Sequence, residues 1–254
     1  MDLVYRLAIA ASRLLFRLLG LRIRVDGAEH IPRAGPAIVV SNHVSFLDFI
    51  FVGLVARPSG RFVRFLTRYD VWHTAIVGPA MTAMRHLPVD RAAPAGAFLE
   101  ARAALIRGEV VGVFPEAGIS RSFTVRALMP GAVALSRSTG APVVLVAVWG
   151  PQRIATAGLP ISVRRGRAVS IAVSPPITVP TDGSVQDATV ELGRQLQQLV
   201  TGVQQRHRDQ PRPGCPDDRH PAHLGGTAPT ASDAAVEADV PRMAVQPPDV
   251  SAMF

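Results

Sequence analysis

Lysine is missing from the 254 residues, and asparagine occurs once, at Asn42. Every cationic side chain but histidine is therefore arginine, a pattern that reads as high-GC coding bias and weakens arguments from arginine counts alone. A single cysteine, Cys215, excludes a disulfide framework and a zinc site of the paired-cysteine kind. No uninterrupted apolar stretch is long enough for a spanning helix. There is no internal repeat and no Gly-x-Ser-x-Gly nucleophile elbow. Histidines and acids do not cluster at metal-ligand spacing, so no metal is implied.

What is present is enough for a sizeable core, with hydrophobic residues at 48% and charged ones at 18%. Five arginines against seven acids leave residues 205–254 at −2, so the first 204 residues carry +10. That balance points to an anionic partner: a lipid surface, a nucleic acid or a phosphorylated substrate. Nucleic acid fits poorly, because the arginines are scattered and no aromatic residues interleave with them as stacking platforms.

Three regions follow. Residues 205–254 hold eight prolines and no apolar period, which predicts a disordered tail. Residues 1–21 are mostly apolar, interrupted by Arg6, Arg13 and Arg17. On a helix these three lie within about 40° of one another, giving one narrow basic stripe. The charges lie inside the apolar region rather than before it, which argues against a signal peptide. An amphipathic helix lying in a membrane interface fits this pattern, and so does a core helix with a cationic exposed stripe.

Residues 22–204 alternate strands and helices, as in an α/β domain with a mostly parallel central sheet flanked by helices. Strands are expected at 36–41, 61–67, 86–90, 110–114 and 142–149. Helices are expected at about 45–56, 94–107, 126–139 and 185–204. Pro94 and Gly108 bracket the second of these, and Ser184 with Asp187 form a capping-box-like start to the last. Residues 161–163 and 168–173 flank Arg164-Arg165-Gly166-Arg167, a candidate hairpin.

Four segments bear on chemistry. Asn42, His43 and Asp48 fall between a buried strand and a helix. Helical positions five apart point about 140° away from each other. His43 and Asp48 therefore meet only if His43 lies on the turn and Asp48 in the helix's first turns. A carboxylate on one imidazole nitrogen then leaves the other free as a general base, with the Asn42 amide placed to hold the turn. Such a spacing arises readily by chance, and a capped helix start with a satisfied histidine reads equally well. Val89-Asp90-Arg91 presents an arginine at a strand end, suited either to a phosphate or to a surface ion pair. Phe114-Pro115-Glu116 runs into Ala117, Gly118, Ile119, Ser120, Arg121 and Ser122, a loop able to hold an oxyanion or simply to leave a strand. Ala141-Pro142-Val143-Val144 opens a core strand with no chemistry of its own.

In that order, the four segments resemble the four sequence blocks of the glycerolipid acyltransferases, most closely the bacterial 1-acylglycerol-3-phosphate O-acyltransferases, over roughly residues 20–180. The resemblance implies that His43 is the general base and that Asp48 orients it. It ties Asn42, Arg91, Glu116, Ala117, Gly118, Ser120 and Arg121 to acceptor binding. The third block of that family usually reads Phe-Pro-Glu-Gly-Thr-Arg-Ser. Here Ala117, Gly118 and Ile119 stand where its Gly, Thr and Arg would be, which leaves the acceptor's phosphate without its usual arginine. The implied reaction moves an acyl chain from acyl-CoA or acyl carrier protein to a lysophospholipid hydroxyl, giving phosphatidic acid, with no cofactor. The implied setting is the cytoplasmic face of the cell membrane, as a peripheral or monotopic protein on an anionic surface. Another lyso-lipid acceptor, such as a lyso-ornithine lipid or glycolipid, or a non-catalytic lipid-binding role, remains open at this stage.

Overall fold

Runs of β-branched residues set the centre of the fold. In the computed structural model, which describes residues 2–210, 217–236 and 243–245, they form β2 (Ala37–Ser41), β5 (Val110–Val113) and β6 (Val143–Trp149). These three lie side by side in a seven-stranded sheet of order β1-β7-β6-β2-β5-β3-β4, where β1 is Arg22–Asp26, β3 Val63–Arg68, β4 Leu87–Val89 and β7 Ala168–Val173. All pairings are parallel except β6 with β7. The expected α/β class, mostly parallel and covered by helices, is what the chain adopts.

Both faces of the sheet are buried, which is why its central strands are apolar at consecutive positions. Ile38 and Val40 of β2 face a core closed by α4 (Pro94–Ile106), α5 (Gly131–Thr139) and α6 (Val185–Arg206). Ala37 and Val39 face the other side, toward α2 (Asp48–Val55) and α1 (Leu3–Leu18). A further helix, α3 (Val77–Ala83), packs beside α1. The α6 start matches its sequence signal: the Asp187 N–H donates to Ser184 Oγ at 2.9 Å.

α1 carries three stripes rather than two. Tyr5, Ile9 and Phe16 are buried against the body, with Phe16 stacked on Phe51 of α2 at 4.6 Å. Arg6, Arg13 and Arg17 are exposed beside them. On the opposite side, Leu3, Leu7, Leu14 and Leu18 are 67%, 60%, 58% and 62% exposed. Among the described residues no helix is long and apolar enough to cross a membrane.

Several expectations change. The hairpin does not form: residues 161–163 lie outside any strand, and β7 pairs with β1 and β6 instead. The arginine-rich turn is tied elsewhere, Gly166 N–H to Leu19 O and Arg22 N–H to Arg167 O, each at 2.9 Å. Strand β1 and helix α3 have no counterpart in the sequence reading, although Arg22-Ile23-Arg24-Val25-Asp26 alternates polar and apolar residues as an edge strand does.

The expectation of a disordered tail divides. Residues 211–216, 237–242 and 246–254 lie outside the described residues. Residues 217–230 pack on the body through polar contacts and through Leu224 and Ala228, too few apolar positions to show a period. His220 is fully buried, edge-on to Trp149 at 5.8 Å, with Nδ1 3.0 Å from Asp217 Oδ2. Asp217 Oδ2 also accepts from Arg153 Nη1 at 3.3 Å.

Candidate active site

β2 ends at the carboxyl edge of the sheet between β5 and β6, where open α/β sheets collect reacting groups. The chain turns away after Ser41, and the Asn42 side chain continues the ladder in its place. Its Nδ2 donates to Val148 O at 3.0 Å, and its Oδ1 accepts from Val148 N–H at 2.8 Å.

The turn then presents His43 before α2, which begins at Asp48. Asp48 Oδ2 lies 3.0 Å from His43 Nδ1 and accepts the Val44 and Ser45 N–H groups at 2.7 Å each. Asp48 is fully buried, which raises its pKa; the His43 hydrogen bond and the two N–H groups oppose that rise. With Asp48 ionised, His43 Nδ1–H donates and Nε2 carries the lone pair. The imidazole stacks on Phe114 at 4.5 Å, which fixes its plane, and its side chain is 21% exposed. A partly open base on a buried carboxylate suits proton abstraction.

The main chain around His43 is held from three directions. Its N–H donates to Glu116 Oε1 at 2.8 Å, and its C=O accepts from Ser120 N–H at 2.7 Å. Val44 O accepts from Thr156 Oγ1 at 2.7 Å, and Ala155 O accepts from Ser45 Oγ at 2.5 Å.

Glu116 is 2% exposed, and its second oxygen accepts the Arg126 N–H at 3.0 Å. Burial pushes this carboxyl up to about 7, against the pull of the two N–H hydrogen bonds. Ser120 is fully buried and its Oγ donates to Thr124 O at 2.7 Å.

The residues expected at the acceptor thus separate into two groups. Asn42, Glu116 and Ser120 are buried, and their side chains bond the main chain of the turn and its surroundings. The resemblance ties them to acceptor binding, and burial adds a second demand, since buried polar atoms at a strand end must satisfy backbone. Arg91 is exposed, and its Nη2 donates to Ala117 O. Ala117 has a left-handed φ of 54°, and Gly118 follows it in the partly exposed turn. Arg121 is half-buried and lies against Gly158.

The sequence reading missed three contributors: Phe114 as the ring platform, residues 155–156 as the brace, and Arg126 beside the turn. Phe114 sits next to the Pro-Glu pair and was readable there. The other two depend on loops folding back, which spacing does not show.

The chain is similar to several known proteins. The family model described as Acyltransferase matches residues 22–149, about half of the chain. The chain is 29% identical over 142 residues to the chloroplast 1-acyl-sn-glycerol-3-phosphate acyltransferase LPAT1 of Arabidopsis thaliana, covering 54% of this chain and 38% of the relative. It is 27% identical over 136 residues to the 1-acyl-sn-glycerol-3-phosphate acyltransferase of Borreliella burgdorferi, covering 52% and 53%. The chain thus spans about two fifths to one half of the length of these curated relatives. In fold it resembles the crystal structure of the 1-acyl-sn-glycerophosphate acyltransferase PlsC from Thermotoga maritima, with a TM-score of 0.59, 24% identity, and 75% and 74% of the two chains covered.

Proposed function

The chain belongs to the acyltransferase family, and on that premise we propose that it acylates the free hydroxyl of 1-acylglycerol-3-phosphate, giving phosphatidic acid. The observation that carries the reading is the His43 Nδ1–Asp48 Oδ2 contact at 3.0 Å, which leaves Nε2 of a partly exposed imidazole free.

His43 Nε2 takes the hydroxyl proton as the acceptor oxygen attacks the thioester carbonyl of acyl-CoA or acyl carrier protein. Asp48 holds the ring and stabilises the imidazolium. Collapse of the tetrahedral intermediate breaks the carbon–sulfur bond, and the leaving thiolate takes the proton back from His43. Products are the new ester and a free thiol. Transfer is direct: the nearby hydroxyls of Ser45 and Ser120 are donated to Ala155 O and Thr124 O, so neither is presented to His43 as a nucleophile. The mechanism calls on no metal or cofactor.

α1 supports a membrane setting, and the proposed location is the cytoplasmic face, as a peripheral or monotopic protein. Its leucine stripe faces away from the body with three arginines at its border, the arrangement of a helix lying in an anionic interface. α1 packs on α2, whose first residue is Asp48, so the stripe lies on a helix packed against the one that carries the base's carboxylate.

The test is release of free thiol from acyl-CoA by the full chain, offered 1-acylglycerol-3-phosphate or another lysophospholipid. Turnover with the first, lost in His43→Ala, supports the reading. Turnover only with another lyso-lipid reassigns the acceptor, and a covalent acyl-protein trapped during turnover refutes direct transfer.

A further inference from the structure

Two guanidinium groups rest on one turn beside the base. Arg91 reaches it from the end of β4 and donates to Ala117 O. Arg126 reaches it from the segment leading into α5, with Nη1 3.4 Å from Ile119 O. We infer that Arg126 is the cationic arm that selects an acceptor bearing a phosphate, an inference that rests on the acyl-transfer reading above.

The turn is shaped to receive this side chain. A Cβ added at Gly118 would stand 3.0 Å from Arg126 Nη1, so the glycine leaves the space that the guanidinium occupies. Ile119 brings no charge to the turn, and the charge arrives from seven positions further along the chain.

Placement relative to the base is also fixed. The Arg126 N–H is held by one oxygen of Glu116 at 3.0 Å, and the His43 N–H by the other at 2.8 Å. A single buried carboxylate therefore sets the separation between the residue that takes the proton and the residue that carries the charge. In a 1-acylglycerol-3-phosphate the free hydroxyl and the phosphate sit on adjacent carbons, so an acceptor engaged at His43 brings its anion close by. A planar guanidinium beside an exposed Arg91 offers the forked donors that phosphate oxygens accept.

The experiment compares two acceptors, 1-acylglycerol-3-phosphate and the phosphate-free monoacylglycerol, in the thiol-release assay with the full chain. The variants are Arg126→Gln, Arg126→Lys and Gly118→Ala, with Arg107→Gln as the control for loss of one surface charge. Arg126→Gln keeps the backbone N–H that Glu116 holds. It should raise KM for the phosphate acceptor at least about tenfold, the scale of a lost charge-assisted hydrogen bond, and leave kcat/KM for monoacylglycerol unchanged. Arg126→Lys should recover part of the preference. Gly118→Ala should lose part of it, because its new methyl displaces the guanidinium. Arg107→Gln should match the wild type. Equal losses on both acceptors, or none, would overturn the inference and leave Arg126 a packing residue while the acyl-transfer reading stands. A wild type inactive on both acceptors sinks that reading, and this inference with it.

Discussion

His43 Nδ1 and Asp48 Oδ2 meet at 3.0 Å across the start of α2, and the same oxygen carries two backbone N–H groups of the intervening turn. Asp48 therefore shapes the loop that holds the base as well as orienting the ring. The two roles separate by substitution. His43→Ala should lower thiol release about 10²–10⁴-fold with the fold intact by circular dichroism. Asp48→Asn retains an acceptor for the turn but no charge opposite an imidazolium, so kcat should fall while the melting temperature changes little. Full activity in either variant would remove the general-base assignment.

Glu116 holds the His43 main chain, so on the proposed mechanism its part is to position the base. Glutamine keeps one acceptor and turns an N–H donor toward the other backbone N–H. Glu116→Gln should lower kcat, with KM unchanged for a monoacylglycerol acceptor that makes no use of Arg126. There is a stability signature as well. The folded carboxyl, near pH 7, lies above the ordinary 4.5, so the native state binds more protons between those values. The carboxyl's own share of stability is lost as pH rises through that window, so Glu116→Gln should gain stability relative to wild type between pH 5 and pH 8. Melting temperatures at pH 5 and pH 8 for both proteins decide it.

The acid side belongs to other groups. Burial holds His86 and His207 down at about 4, below the ordinary 6.5. Such histidines stay neutral in the fold and charge in the unfolded chain, so stability is lost as pH falls from 6.5 to 4. His86 Nδ1 accepts the Phe65 N–H at 3.0 Å, a bond that protonation would break. His86→Gln removes one of the two groups. Its stability deficit relative to wild type should narrow on acidification, and a constant deficit would assign the acid loss elsewhere.

The three stripes of α1 make separable claims. Leu7→Glu and Leu14→Glu alter only the exposed apolar side and should abolish sedimentation with vesicles while leaving the melting temperature unchanged. Arg13→Gln and Arg17→Gln should each weaken binding to anionic vesicles about fivefold, on the scale of about 1 kcal/mol per arginine near the surface, and the effect should fade in high salt. Binding indifferent to the leucines would mean that another surface meets the lipid.

The sequence showed the elements whose residues obey one strong rule. Strands β2, β5 and β6 are covered on both faces and read as unbroken apolar runs. Helix α4 has Pro94 at its first position and Gly108 just past its end in a left-handed conformation. The His43–Asp48 pair was legible through the resemblance, and helix geometry then left only one place for the contact, across the start of the helix. Strand β1 was not, since all five of its residues are exposed at the sheet edge and bury little. Arg126 was not either. Its guanidinium reaches residue 119 only because the chain doubles back through Phe123, which holds a φ of 58°. Local patterns report burial and turns, but not which distant loop a long side chain will cross.

The Asn42–Val148 pairing has a dynamic consequence. A side chain that both gives and takes a ladder hydrogen bond makes the sheet one rung longer than its backbone, and His43 is the next residue along. The base thus follows directly on a central strand of the sheet, one residue past its last rung. The His43 amide should exchange with solvent as slowly as the core of β2, only when the whole domain unfolds. Adjustment on substrate entry then falls to the lipid and to the rim, where Phe46 is 57% exposed.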